Sequence, residues 1–286
     1  MDWSEVAVEI TNDIQEVELT PDVKQVETKT ASEYFNSAYA KYQQGDKQGV
    51  IADLTEAIRL NPSLANAYYN RGNAKYELGD KQAAITDYNE AIRLDPNLAD
   101  VFYNRGVAKS CLGDKEGAIA DYNEAIHLNP NYAESYNNRG NVKYVLGDKE
   151  GAIADYNEAI RIKPDHDESY NNRGNVKSDL GDQEGAIADY NEAIHLNPNY
   201  ALAYNNRGKV KSDLGDKQGA IADYNEAIRI KPDHDGAYYN RGLTKKERNE
   251  KQGALADFQK ALELYQLQGN TEWYNKSRDR IRELGV

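Results

Sequence analysis

The sequence predicts an all-α fold, a solenoid of stacked helix-turn-helix units. Six prolines, Pro62, Pro96, Pro130, Pro164, Pro198 and Pro232, stand 34 residues apart. A fixed period of that length means one supersecondary unit packed on copies of itself. Within each period the apolar residues fall three and four apart, the spacing of one helical face. Each period is also punctuated twice, by Gly-Asp near its middle and by proline near its end.

Residues 1–30 stand apart from the repeats. They hold eight acids and two lysines, a net of −6. Their interleaved Glu and Val support neither a long amphipathic helix nor a firm strand, and the stretch reads as an acidic, disordered leader. Thr20-Pro21-Asp22 can start a short helical turn. Two other readings are that the leader packs on the first repeat, or that it lies in a groove of the array as an internal pseudo-ligand.

Seven repeats follow, at 31–64, 65–98, 99–132, 133–166, 167–200, 201–234 and 235–268. In the second, helix A starts near Asn66 and carries Tyr68, Gly72, Ala74 and Leu78. Gly79 takes a left-handed turn and Asp80 caps the next helix. Helix B presents Ala84, Ile85, Tyr88, Ala91 and Ile92 on one face and stops at Asp95-Pro96, since proline disfavours helix in the residue before it. Gly72, Ala84 and Ala91 are small where two helix axes approach closely.

These residues resemble the tetratricopeptide repeat (TPR) pattern: an aromatic at repeat position 4 (Tyr68), Gly or Ala at 8 (Gly72), Ala at 20 (Ala84), an aromatic at 24 (Tyr88), Ala at 27 (Ala91) and Pro at 32 (Pro96). The match spans 31–268. The resemblance implies a right-handed superhelix whose A helices line a concave groove. The end repeats depart from the pattern, with Ala38, Val50 and Leu54 in the first, and Asn249 and no closing proline in the seventh. The segment 269–286 is expected to cap the array, with a helix at 271–285 that places Trp273, Ser277, Ile281 and Leu284 on one side.

Composition narrows the function. A formal charge of −13 and a pI near 4.9 count against nucleic acid or an anionic membrane as partner. The single cysteine, Cys111, excludes an internal disulfide and fits a reducing compartment, so a cytoplasmic location is expected. No apolar run approaches the roughly 18–20 residues that span a bilayer, and the N-terminus lacks a secretory pattern. No phosphate loop, dinucleotide fingerprint, zinc spacing or nucleophile–base pair appears, so neither an enzyme nor a cofactor is expected. The Asp165-His166-Asp167 and Asp233-His234-Asp235 turns are expected to be structural, with aspartate capping the next helix.

An asparagine recurs at position 6 of helix A in every repeat: Asn36, Asn70, Asn104, Asn138, Asn172, Asn206 and Asn240. Asparagine costs about 0.6 kcal/mol against alanine within a helix, so the column needs a reason. In the TPR family this position faces the groove, where an amide can donate to and accept from a guest backbone together. The column resembles the asparagine ladder of the O-GlcNAc transferase TPR domain. The rival reading is that recent copies carried the residue along, and Asn89, Asn123, Asn157, Asn191 and Asn225 recur on helix B with no expected ligand.

Position 5 (Tyr69, Tyr103, Asn137, Asn171, Asn205, Tyr239) and position 9 (Asn73, Asn141, Asn175) complete the expected peptide-binding set, and position 9 varies elsewhere to Tyr39, Val107, Lys209 and Leu243. An extended protein segment with basic residues would suit such a groove. The Lys and Arg with which chaperone-binding members clamp a carboxylate have no counterparts here. Position 7 is arginine six times (Arg71 to Arg241) and position 23 aspartate seven times (Asp53 to Asp257). A partly buried ion pair, within or between repeats, is expected, with anion binding as the alternative. The expected function is a non-enzymatic interaction scaffold, the alternative an assembly or oligomerisation module.

Overall fold

The structure, a computed structural model, describes residues 29–285. The leader expected at 1–30, with its turn at Thr20-Pro21-Asp22 and its suggested docking, lies outside them apart from Lys29 and Thr30. Every regular element described is an α-helix, fifteen in all. They alternate as A and B helices of successive repeats: α1 (Ala31–Gln43) and α2 (Lys47–Leu60), α3 (Ala65–Glu77) and α4 (Lys81–Leu94), α5 (Ala99–Cys111) and α6 (Lys115–Leu128). The order continues with α7 (Ala133–Val145) and α8 (Lys149–Ile162), α9 (Asp167–Asp179) and α10 (Gln183–Leu196), α11 (Ala201–Asp213) and α12 (Lys217–Ile230). Last come α13 (Asp235–Glu247), α14 (Lys251–Leu267) and α15 (Thr271–Glu283).

The chain divides into two compact units, with the boundary between Val142 and Lys143, within α7. In the first, α1 to α5 each pack on the next helix, and the A helices α3 and α5 also touch. In the second, α8 to α14 do the same, with A-to-A contacts between α9 and α11 and between α11 and α13.

Local chemistry explains where the helices start and stop. Asp80, Asp114, Asp148, Asp182 and Asp216 each cap a B helix, accepting from the backbone N–H three residues on at 2.9–3.0 Å. The preceding glycines hold the turn, Gly79 at φ +92° and Gly181 at φ +86°. Asn249 replaces the glycine in the last repeat and still takes φ +62°, as asparagine tolerates. Without a closing proline, α14 runs on to 17 residues where the other B helices have 14.

The glycine one turn inside most B helices follows from the cap. A Cβ on Gly117 would fall 2.2 Å from the Asp114 carboxylate. Ala83 occupies that place in the second repeat and the Asp80 cap survives at 3.0 Å, so glycine there relieves crowding and is not required. At A helices two caps differ from expectation. His166 and His234, not the flanking aspartates, cap α9 and α13, with Nδ1 accepting from Ser169 N at 3.2 Å and from Ala237 N at 3.3 Å.

The core is a strip of alanine and tyrosine. Tyr88, Tyr122, Tyr156, Tyr190 and Tyr224 are buried to within 2% of full burial, beside alanines such as Ala84 and Ala91. Gly72 lets Tyr88 lie against α3, since a Cβ would sit 2.7 Å from its ring. The first repeat makes the opposite choice at both places, Ala38 against Leu54, and both are fully buried. In the second unit α15 covers the final repeat: Trp273, Ile281 and Leu284 pack with Tyr239, Phe258 and Tyr265. No helix among the described residues is long and apolar enough to cross a membrane.

In five repeats the expected ion pair lies within the repeat. Arg71 grips Asp87 with two hydrogen bonds, 2.9 Å from Nε and 2.8 Å from Nη2, and its guanidinium stacks on Tyr68. Lys75 closes on the same carboxylate at 2.7 Å. Arg105, Arg173, Arg207 and Arg241 repeat this on Asp121, Asp189, Asp223 and Asp257. The remaining nitrogen, Nη1, reaches back to the preceding repeat: Arg105 donates to Asn89 at 2.7 Å and Arg207 to Asn191 at 2.7 Å. The helix-B asparagines are therefore the far half of a latch between repeats. With Nε, Nη1 and Nη2 each engaged inside the array, these arginines are structural partners, which counts against the anion-binding alternative.

Candidate functional site: the A-helix face

Four of the position-6 asparagines, Asn104, Asn138, Asn206 and Asn240, bond through their amides to the A helix of the preceding repeat. In the first unit Asn104 Nδ2 donates to Tyr69 Oη at 3.0 Å and to Asn73 Oδ1 at 3.1 Å, and Asn138 Nδ2 donates to Tyr103 Oη at 3.0 Å. In the second, Asn206 Nδ2 donates to Asn171 Oδ1 at 3.1 Å and Asn175 Oδ1 at 3.0 Å, and Asn240 Nδ2 to Asn205 Oδ1 at 3.0 Å. Below them the buried core tyrosines donate upward, Tyr88 to Asn73 and Tyr190 to Asn175, each at 2.8 Å. Burial pushes the Tyr69 hydroxyl up to about 12, so it stays protonated.

This geometry revises the expected ladder. At Asn104 and Asn206 both amide hydrogens are already engaged by the preceding repeat, so neither amide can donate to a guest peptide while it accepts. Their carbonyl oxygens remain as acceptors, that of Asn206 already taking one hydrogen bond from Asn205 at 3.3 Å. The physical reason is proximity: two neighbouring A helices bring positions 5 and 9 of one repeat within reach of position 6 of the next. Removing Asn206 should therefore be felt as stability. Asn206→Ala is expected to cost about 1–3 kcal/mol in urea unfolding, because it takes the donor from Asn171 Oδ1 and the acceptor from Asn205 Nδ2, while Asn175 Oδ1 keeps Tyr190. The exposed Asn36 should change stability by under about 0.5 kcal/mol when replaced by alanine. Equal losses at the two positions would deprive the backward bonds of any energetic role.

Position 5 also departs from expectation. Asn137, Asn171 and Asn205 are buried, Asn171 completely, and so is Tyr239. They lie between helices and cannot be read directly by a guest. Asn171 and Asn205 instead donate to the neighbouring position-6 oxygens, Asn172 and Asn206, at 3.3 Å. Asn70 and Asn73 are buried as well. Asn104, Asn138, Asn141, Asn172, Asn175, Asn206 and Asn240 keep partial exposure, as do Tyr69 and Tyr103.

Two clefts open along this face, at equivalent places in the repeat. In the first unit a cleft of about 230 Å³ is walled by Tyr76, Tyr88 and Val107, floored by Asn73 and Asn104, with Glu77 among its lining residues. In the second, a cleft of about 290 Å³ is bounded by Tyr144, Tyr190, Leu202 and Val210 over Asn175 and Asn206, with Ser178, Asp179 and Lys209 beside them. Tyr144 donates to Asp179 at 2.5 Å, and Tyr76 Oη lies 3.5 Å from Cys111 Sγ. The sequence reading passed over Tyr76, Tyr144 and Asp179. Tyr76 lies three residues after Asn73 on the same helical face, a spacing that could have marked it.

Comparison with known proteins places this architecture. A sequence family described as TPR repeat matches residues 38–79, 72–110, 112–147, 140–181, 175–215 and 212–248, and one described as Tetratricopeptide repeat matches 235–266. No curated protein matches the chain. Among solved structures, a tetratricopeptide repeat protein from Parabacteroides merdae aligns with a TM-score of 0.70 at 21% identity, covering 90% of this chain and 99% of that one. MamA aligns with a TM-score of 0.54 at 26% identity, covering 56% of this chain and 93% of its own. YrrB, described as a TPR protein with an unusual peptide-binding site, aligns with a TM-score of 0.51 at 23% identity over 67% of this chain and 97% of its own.

Proposed function

Because the chain belongs to the tetratricopeptide repeat family, we propose that it is a protein-interaction scaffold whose A-helix face holds an extended, lysine- or arginine-bearing segment of a partner. One observation carries the chemistry: the inner amides of Asn104 and Asn206 have their hydrogens engaged within the array. What such a face offers a guest is oxygen, and a surface rich in acceptors favours a guest rich in donors. The carboxylates point the same way. Asp100 and Glu168 are exposed near the starts of α5 and α9, and Glu77 and Asp179 line the clefts, with Lys209 the one basic residue among the cleft-lining side chains. Tyr76 and Tyr144 give the alkyl part of a lysine or arginine an aromatic wall.

In this reading the exposed parts of Asn138, Asn172 and Asn240 accept from the guest backbone, while Asn137, Asn171, Asn205 and Tyr239 hold the accepting residues in place. Extended peptides that differ only in Lys, Gln or Glu at alternate positions, titrated onto the full chain by fluorescence anisotropy, test it. The lysine series should bind with an affinity of micromolar order, and binding should weaken as salt rises. The combined variant Glu77→Gln, Asp100→Asn, Glu168→Gln should lose about fivefold or more of that affinity. Equal binding of the glutamate series would remove the proposal. Self-association by light scattering without peptide would favour an assembly role instead.

A further inference from the structure

We propose that the turn at His234 is an acid-labile joint, in which protonation of the imidazole uncaps α13 and loosens the last repeat of the second unit. The geometry requires a neutral ring. His234 Nδ1 accepts from Ala237 N at 3.3 Å, so the ring proton resides on Nε2. A proton added at Nδ1 turns the acceptor into a donor facing another donor. It also places a positive charge at the positive end of a helix.

The fold does not demand this cap. At the same register Leu64, Leu98 and Tyr200 precede their helices with no side-chain cap bond. The charged groups facing the ring come from three places. Lys231, just after α12, opposes protonation, while Asp233 in the turn and Asp235 at the start of α13 favour it, with Asp235 Oδ1 4.0 Å from Nδ1. On α14 the Tyr265 hydroxyl, held protonated by burial, faces Asp235. Burial of the ring outweighs the two aspartates and holds His234 below the usual histidine value. A lowered value means that the neutral ring is the native form. The cap is therefore present above the unfolded-state value and is lost as pH falls through the folded one.

The consequence reaches the A-helix face. Helix α13 carries Tyr239, packed edge-on against Trp273 of the capping helix with ring centres 5.2 Å apart, and Asn240, bonded back to Asn205. Loosening its first turn frees both contacts to fluctuate. The same chain contains a cap of like kind that cannot titrate, since Asn270 accepts from Trp273 N at 3.3 Å at the start of α15. His234→Asn therefore substitutes a permanent cap.

Backbone amide exchange at Ala237, followed by NMR in the full chain from about pH 8 to pH 5 and corrected for intrinsic exchange, tests the proposal. Protection should fall about tenfold or more in the wild type and stay level in His234→Asn. Wild-type protection that does not change with pH would overturn it, as would an equal fall in His234→Asn. A site-specific readout is needed because His166 caps α9 with the same geometry, and a global unfolding curve would merge the two turns.

Discussion

Asp189→Ala is expected to destabilise the second unit by about 3–5 kcal/mol. Asp189 is almost fully buried and receives two hydrogen bonds from Arg173, at 2.9 Å and 2.6 Å, and an ion pair from Lys177 at 2.9 Å. Removing the carboxylate leaves the Arg173 guanidinium and the Lys177 ammonium without the anion between them. The attraction itself is not the source of the loss. An ion pair taken out of water pays desolvation that its mutual attraction barely repays, so the damage comes from stranding the partners. Replacing the whole cluster by apolar side chains provides the control. A chain with Arg173→Leu, Lys177→Leu and Asp189→Leu together should recover most of the loss in urea unfolding. A triple variant as unstable as Asp189→Ala would mean that the pairs contribute net stability in their own right.

The second large effect concerns the glycine–tyrosine contact. Tyr190 is buried against Gly174, where a Cβ would lie 2.8 Å from its ring. Tyr190→Ala should cost about 3–5 kcal/mol through lost burial and a cavity. Gly174→Ala should cost about 1–3 kcal/mol by overpacking, partly offset by better helix propensity. The first repeat contains the compensated pair, Ala38 with Leu54. Gly174→Ala with Tyr190→Leu should therefore be more stable than Tyr190→Ala, and less costly than the sum of its single changes. Strict additivity of the two would indicate that the positions do not share a contact.

Much of this was legible in the chain because the period did the work. Proline, Gly-Asp and the apolar spacing locate the helices to within a residue or two, and Asp80 and its equivalents cap where a capping residue should. What the period hides is direction. In near-identical copies, a pair within a repeat and a pair between repeats have the same spacing modulo the repeat length. Nothing in Arg71 or Asp87 says which is meant until the helices are placed. The same degeneracy concealed where the position-6 amides point, and why Asn89 recurs on a helix with no ligand. Burial of Asn171 was unreadable for another reason. Its hydrogen bonds to Asn172 and Asn206 satisfy an amide that composition alone would put at the surface. The histidine caps were masked by the aspartates beside them, which are commoner at that task.

Arg105 bonded to Asn89, and Arg207 to Asn191, have an implication for how such a protein changes length over evolutionary time. The inner copies carry a socket on the second helix and the matching plug on the first. Whole copies inserted or deleted within such a run therefore meet identical fittings on both sides, and no buried charge is orphaned by the event. Growth by duplication is thermodynamically easy for this chain, whereas a partial copy would leave a guanidinium without its amide.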